Sequence, residues 1–228
     1  MKKTTGFIIL RDIPKEKAQL DLLAYDIEGG FRGFSSVRAG PHYVNVKRSG
    51  EMQKGFWCVV PEDGVVIRVF DAASGSFKED TPENVAHHTE LAKSGAMNKV
   101  LAPAYGGYPV EAVAWEDLTK HLALVPFPPE LHVEQPMSPP AGVDANALGK
   151  WFEGSFKSRF EQAFLGTHGG DVDSFLAELE YAYVQMLACD DKAAGDRWRH
   201  LILAAFNAGD YAMCASPGLL GILSFRKK

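Results

Sequence analysis

Six prolines, Pro126, Pro128, Pro129, Pro136, Pro139 and Pro140, fall within fifteen residues of this 228-residue chain. Proline has no amide hydrogen, and its ring fixes φ near about −65°, so a run this dense suits neither a helix interior nor a central strand. The segment reads as a linker, or as an extended strap lying across a surface, and it divides the chain. The expected limits are 1–124 for the front region, 125–145 for the proline segment and 146–228 for the back region.

Before the prolines the pattern is that of short strands and turns. Gly6 to Leu10 is a compact apolar run, stopped by Asp12-Ile13-Pro14. Tyr43-Val44-Asn45-Val46 alternates, and Phe56-Trp57-Cys58-Val59-Val60 is a continuous run of the buried-strand type. Pro61-Glu62-Asp63-Gly64 supplies turn residues, and Val65-Val66-Ile67-Arg68-Val69-Phe70 follows, rich in β-branched side chains. The two runs flanking that turn are expected to form a hairpin. Thr81-Pro82-Glu83 is a helix start, with Thr as N-cap, Pro in the first turn and an acid near the positive end of the dipole. That helix should run to about Lys93 and stop at Ser94-Gly95. After the loop Pro103 to Pro109, a shorter helix is expected around Trp115 to Leu122.

After the prolines the period changes. Val172, Phe175, Leu176, Leu179, Ala182, Tyr183, Met186 and Leu187 recur at helical spacing, with Glu178 and Glu180 off that stripe. Beyond a break at Asp190-Asp191, Trp198, Leu201, Ile202 and Ala205 form a second stripe, so an antiparallel helix pair is expected. A third segment begins near Asp210 and is interrupted at Pro217-Gly218. Phe152, Phe156, Phe160 and Phe164 recur every fourth residue beside Trp151, Lys157 and Arg159. They suit a core helix or an anchor for a partner groove, and inward packing is the simpler reading. The fold class is α+β: a β-rich, sandwich-like front domain of antiparallel hairpins with one or two helices, then an all-α domain.

Composition narrows the function. Apolar residues make up 46% and charged residues 23%, enough for a core without cross-links, and the net charge of −5 disfavours nucleic acid as a direct ligand. Cys58, Cys189 and Cys214 are odd in number and far apart, with no Cys-x-x-Cys pair, which suits a reducing, cytoplasmic setting, or a nuclear one in a eukaryote. The apolar run near the N-terminus is too short for a secretory signal or a membrane span. No Gly-x-x-x-x-Gly-Lys-Ser/Thr occurs, and Gly29-Gly30, Gly106-Gly107 and Gly169-Gly170 read as turn residues, so no cofactor is implied.

Two groupings could carry chemistry. Glu83, His87 and Glu90 share a helix face at i, i+4 and i+7, which could hold a divalent metal; the plainer reading is a solvated face, because no second element supplies matching ligands. His42 opens a strand with no nucleophile evident beside it, so a structural imidazole is the expected role, and Cys58 reads as an inert core thiol. A metal-dependent hydrolase using Glu83, His87 and Glu90, or His42, is the alternative to a binding protein. The tail Arg226-Lys227-Lys228 reads as solvated.

The order of short motifs resembles the AAR-two family of splicing-particle assembly factors. Phe31-Arg32-Gly33-Phe34 is similar to its Phe-basic-Gly-apolar element, Gly40-Pro41-His42-Tyr43 to its Gly-x-His-aromatic strand opening, and Gly55-Phe56-Trp57 to its Gly-aromatic-aromatic strand. Gly64 to Arg68 resembles the strand that follows, and Tyr108-Pro109, Trp115 and Leu118-Thr119 the end of the family's front domain. In the back region Glu178-Leu179-Glu180-Tyr181-Ala182-Tyr183-Val184, then Trp198, Arg199 and Leu201, fit the family's helix pattern. The resemblance implies a β-rich domain followed by a helical one, no catalysis, and a protein partner; eukaryotic members accompany a large core protein of the U-five small nuclear ribonucleoprotein during its assembly. This chain ends at Lys228, where those members continue with further helices, and the resemblance implies no surface carried there.

Overall fold

In the computed structural model the described residues are 4–27, 30–52, 54–107, 109–127, 129, 131–132 and 138–208. They divide into two compact units, Met1–Thr119 and Lys120–Lys228. The fold is α+β, with the sheets in the first unit and helices dominating the second.

The first unit is built on strand β1 (Thr5–Arg11). Ile8, Ile9 and Leu10 are each 0% exposed, so both faces of this strand are covered, as in the middle strand of a layered sheet. β1 pairs antiparallel with β4 (Gly33–Arg38) and parallel with β8 (Val65–Asp71). β9 (Ser76–Lys78) and β10 (Ala102–Pro103) complete the sheet, in the order β10-β4-β1-β8-β9. The second sheet is organised by β5 (Gly40–Arg48), which pairs with β2 (Lys17–Leu20), β6 (Glu51–Met52) and β7 (Phe56–Val60); β3 (Leu23–Asp26) lies outside β2. The sheets meet through edge-on rings, Tyr25 on Phe34 at 4.9 Å, and through Phe56 and Phe77 at 4.8 Å.

Gly33 explains why Phe31-Arg32-Gly33-Phe34 is written as it is. Its φ is +130°, and a Cβ there would sit 2.0 Å from the Ile8 carbonyl oxygen. No other residue lets β4 approach β1 this closely without the backbone moving.

The expected hairpin across Pro61 to Gly64 does not form. β7 pairs only with β5 and β8 pairs with β1, so the two runs enter different sheets. The turn itself is real, closed by the Gly64 amide on the Pro61 carbonyl at 3.0 Å, but it is a corner between layers. The Phe7 amide donates to the Gly64 carbonyl at 2.9 Å, and Gly6 passes so near that a Cβ would meet Gly64 O at 2.4 Å. The N-terminal strand thus takes the edge of β8 that a hairpin would have used. Where β7 and β8 part, a cleft of about 320 Å3 opens between Cys58 and Val59 on one side and Val65, Val66, Ile67 and Arg68 on the other.

Helix α1 (Pro82–Lys93) forms as its ends specify: Thr81 accepts from the Asn84 amide, and Ser94 caps the far end. Its last turns press Ala92, with Met97 and Leu101, onto Ile9 and Ile67. Helix α2 (Pro109–Leu118) starts six residues before the expected Trp115. Pro109 stands at the first helical position, where its missing amide costs nothing, and the Thr119 hydroxyl donates to the Trp115 carbonyl at 2.9 Å at the other end.

In the second unit three aspartates open three helices. Asp144 caps α3 (Ala145–Phe160), Asp171 caps α4 (Val172–Cys189) and Asp191 caps α5 (Lys192–Asn207), each accepting a first-turn amide. Asp190, with φ +52°, turns the chain between α4 and α5 as the break predicted. A wide π-type turn, Glu161–Thr167, carries α3 on to His168. Phe160, Phe164, Phe175, Leu176, Leu179 and Leu201 make the core. The phenylalanine row divides: Phe160 and Phe164 are buried, whereas Phe152 is 44% exposed. Residues four apart drift by about 40° around a helix, so a straight-looking row winds from solvent into the core. The segment from Asp210, the terminal basic residues, Cys214, Gly29, Tyr108, Pro128 and Pro136 lie outside the described residues.

Candidate functional site

Each unit closes around buried acid. In the first, Asp21 sits in the turn between β2 and β3 with φ +59° and only 1% exposure. One carboxylate oxygen accepts the Tyr43 amide at 2.9 Å; the other faces His42 Nδ1 at 2.9 Å and accepts the Tyr105 hydroxyl. His42 Nε2 lies 2.8 Å from the Arg38 carbonyl. With a carboxylate at one ring nitrogen and a carbonyl at the other, the imidazole is placed to donate twice. Burial alone would push its pKa down, but the Asp21 charge and hydrogen bond, the Arg38 carbonyl and the Glu116 charge outweigh this and raise it.

Tyr105 reaches Asp21 from the loop after β10, in the left-handed region at φ +57°, and its amide donates to the Tyr25 hydroxyl at 2.6 Å. Trp115 roofs the cluster: its Nε1 donates to the Pro41 carbonyl at 2.9 Å, and its ring stacks on His42 and on Trp57 at centroid distances of 6.2 and 6.1 Å. Beside it lies a cavity of about 210 Å3 lined by Leu22, Leu23, Ala114 and Leu118, with Asp21, Tyr105 and Trp115. Burial, with the Asp21 charge, raises the Tyr105 hydroxyl pKa, so it stays a donor. The imidazole expected to be structural at His42 is bonded to backbone at Arg38; Asp21 and Tyr105 were not singled out from the sequence.

The second unit holds two acids on α4. Glu178 and Glu180 are each 0% exposed, although they were expected off the apolar stripe. Residues two apart on a helix point about 200° apart, so the two carboxylates leave α4 on opposite sides. Glu178 receives Arg197 of α5 through two bonds, Nε at 2.7 Å and Nη2 at 2.9 Å, together with His168 Nε2 at 2.8 Å and the His132 amide at 3.0 Å. Burial drives its carboxyl upward, but these donors more than reverse that and hold the pKa down at about 2. Glu180 takes the amides of His121 and Leu122 at 2.9 and 3.0 Å and His121 Nδ1 at 2.7 Å. The backbone amides of His121, Leu122 and His132 are therefore bonded to a helix through side-chain carboxylates.

A signal for this was present. From Phe175 to Val184 the helix carries no basic residue, and its only two acids point to opposite sides, so it has no polar face to give to water. A helix that is apolar all round is an enclosed one.

Glu83, His87 and Glu90 all stand exposed on α1. Among the described residues no group of three or more His, Cys, Asp or Glu side chains is placed to hold a metal ion. Cys58 is buried, and burial together with the Asp21 charge pushes its thiol up to about 12, the state of an unreactive core cysteine. No helix among the described residues is long and apolar enough to cross a membrane.

A mixed two-sheet unit followed by a helical unit, each gathered around internally bonded acid, defines a two-unit α+β protein. Residues 4–131 match the family model of the AAR2 N-terminal domain, a stretch that takes in strands β1 to β10 and continues to Leu131. That is more than half of the chain, and the chain belongs to the AAR2 family. No curated protein matches it in sequence.

Proposed function

We propose that this protein is a non-catalytic assembly factor that acts inside the cell by holding a protein partner. Membership of the AAR2 family carries the reading. The partner class that membership suggests is a large core protein of a ribonucleoprotein particle, as for the family's eukaryotic members. In this reading 1–124 and 146–228 are the working regions, and 125–145 is the strap between them.

The chemistry of the buried clusters supports a structural role for them. A general base needs a lone pair directed at a substrate. Both His42 nitrogens already face internal partners, and the buried acid Glu178 is occupied by Arg197, His168 and the His132 amide. Such clusters stiffen a surface and leave recognition to the exterior.

Affinity purification of the full chain from its native source, followed by size-exclusion chromatography, tests the reading. A protein co-eluting in fixed stoichiometry, with no turnover of hydrolytic or redox substrates, is the expected result. Elution of the chain alone at every salt concentration tried would refute it.

A further inference from the structure

Strand β8 is paired along only part of its outer edge. β9 covers it from Val69 to Asp71, and the chain then leaves at Lys78 for α1. Among the described residues no strand lies beside Val65, Val66 and Ile67 on the side away from β1. In a parallel ladder alternate residues turn their amide and carbonyl to the same neighbour. The Phe7 amide bonds the Gly64 carbonyl in a register that sets Phe7 beside Val65, so Gly64, Val66 and Arg68 serve β1. Val65 and Ile67 therefore turn their amides and carbonyls to the opposite edge. The cleft of about 320 Å3 lies along that edge rather than on a face of the sheet, because side chains from both faces of β8 line it. Val65 and Ile67 belong to the α1 face, packed in the cluster with Ala92, whereas Arg68 reaches over the Phe56 ring of β7. One edge group is already answered: Arg68 folds back to donate to the Ile67 carbonyl at 2.9 Å. Natural edges are blunted by proline, a bulge or lysine, and Val65-Val66-Ile67 has none of these.

We propose that this cleft is a strand-binding slot, in which an extended segment of a protein partner lies along Val65 to Ile67 and exchanges backbone hydrogen bonds with them. The inference rests on the assembly reading above and names how the partner is gripped. Amides and carbonyls spaced along an edge are matched by the backbone of another strand. The walls then set its side chains. Those turned toward α1 meet Val65 and Val85, which call for apolar or β-branched residues. Those turned the other way meet Arg68 and Glu79. Arg68 is engaged with Phe56 and the Ile67 carbonyl, and Asp80 with Arg11. The Glu79 side chain is 84% exposed and meets Arg68 only at 3.5 Å. The charge left over in the slot is negative, so the segment carries a lysine or arginine beside Glu79. A second copy of this chain fits poorly, because its own β8 lies between the same walls.

The test selects displayed random peptides, about ten residues long, on the immobilised full chain, and follows amide exchange of the isotope-labelled chain with the selected peptides. Expected are peptides that alternate apolar and polar residues, lack a central proline, carry Lys or Arg, and slow exchange of the Val65 and Ile67 amides. Val65→Pro removes one outward amide and no bond to β1, so binding should weaken about tenfold or more. Val65→Thr, which keeps that amide, should change it little. Glu79→Lys alters no backbone group and should weaken binding about two- to fivefold; it carries the test if the proline variant melts early. Failure to enrich any peptide, binding indifferent to Val65→Pro or to Glu79→Lys, or unchanged exchange at both amides overturns the slot. A protein that still co-purifies with the chain then leaves the assembly reading standing. In the isolated chain, Val65 and Ile67 amides as protected as those of Val66 and Arg68 would overturn it, by showing the edge already filled. So would a concentration-dependent dimer abolished by Val65→Pro, which would make the occupant a second copy.

Discussion

The sheet unit and the helical unit both bury a carboxylate beside histidine, yet the two buried clusters are sensitive to opposite ends of the pH scale. In the buried cluster of the sheet unit the base is shifted: folding raises the pKa of His42. The folded state therefore holds that proton more tightly, and the resulting stability is complete below about 6.5 and lost as pH rises through the folded value. In the helical unit the shifted group is an acid, with Glu178 lowered from 4.5 to about 2. Its contribution is complete above 4.5 and lost as pH falls toward about 2. The difference follows from where the acids sit. Asp21 lies in a turn and gathers partners from β5 and a distant loop, whereas Glu178 and Glu180 project from mid-helix and bind neighbouring segments to α4. A sheet unit uses its acid to close a loop over strand ends; the helical unit uses its acids to hold irregular chain against a helix.

The comparison can be broken by mutation. Glu178→Ala leaves the 4%-exposed Arg197 without its counter-charge, so a loss of about 3–5 kcal/mol is expected in urea unfolding of the helical unit. Adding Arg197→Met should restore much of it. Asp21→Asn keeps an acceptor but removes the charge, with an expected loss of about 2–3 kcal/mol, read from the unfolding of the sheet unit. Asp191→Ala removes only the cap of α5 and should lower stability by about 1 kcal/mol. If Asp191→Ala cost more than Glu178→Ala, the buried acid would not be what organises the helical unit.

Much of this architecture was legible in the residues, and what was not has identifiable causes. Thr81-Pro82 and Asp190-Asp191 announced helix ends because capping is local chemistry. Pro61 to Gly64 announced a turn but not its destination, since which sheet β8 joins is decided by Gly6 and Phe7, more than fifty residues earlier in the chain. Pro109 was readable as the first residue of a helix but looked like the end of a loop. Glu178 and Glu180 looked like polar-face residues until their opposite directions were weighed against a helix with no other charge. Tyr105 could not be found at all, because its role depends on a left-handed backbone at φ +57° that brings a loop residue onto Asp21.

Amide hydrogen exchange on the intact chain, expressed as protection over intrinsic rates and followed from acid to alkaline pH, tests most directly whether each unit is held by its own buried charge. On acidification below 4.5, residues 175–184 should lose protection before residues 40–48. On raising pH above 6.5, the order should reverse, with 40–48 opening first. Loss of protection in both stretches together at each extreme, or opening of 175–184 first in alkali, would contradict it.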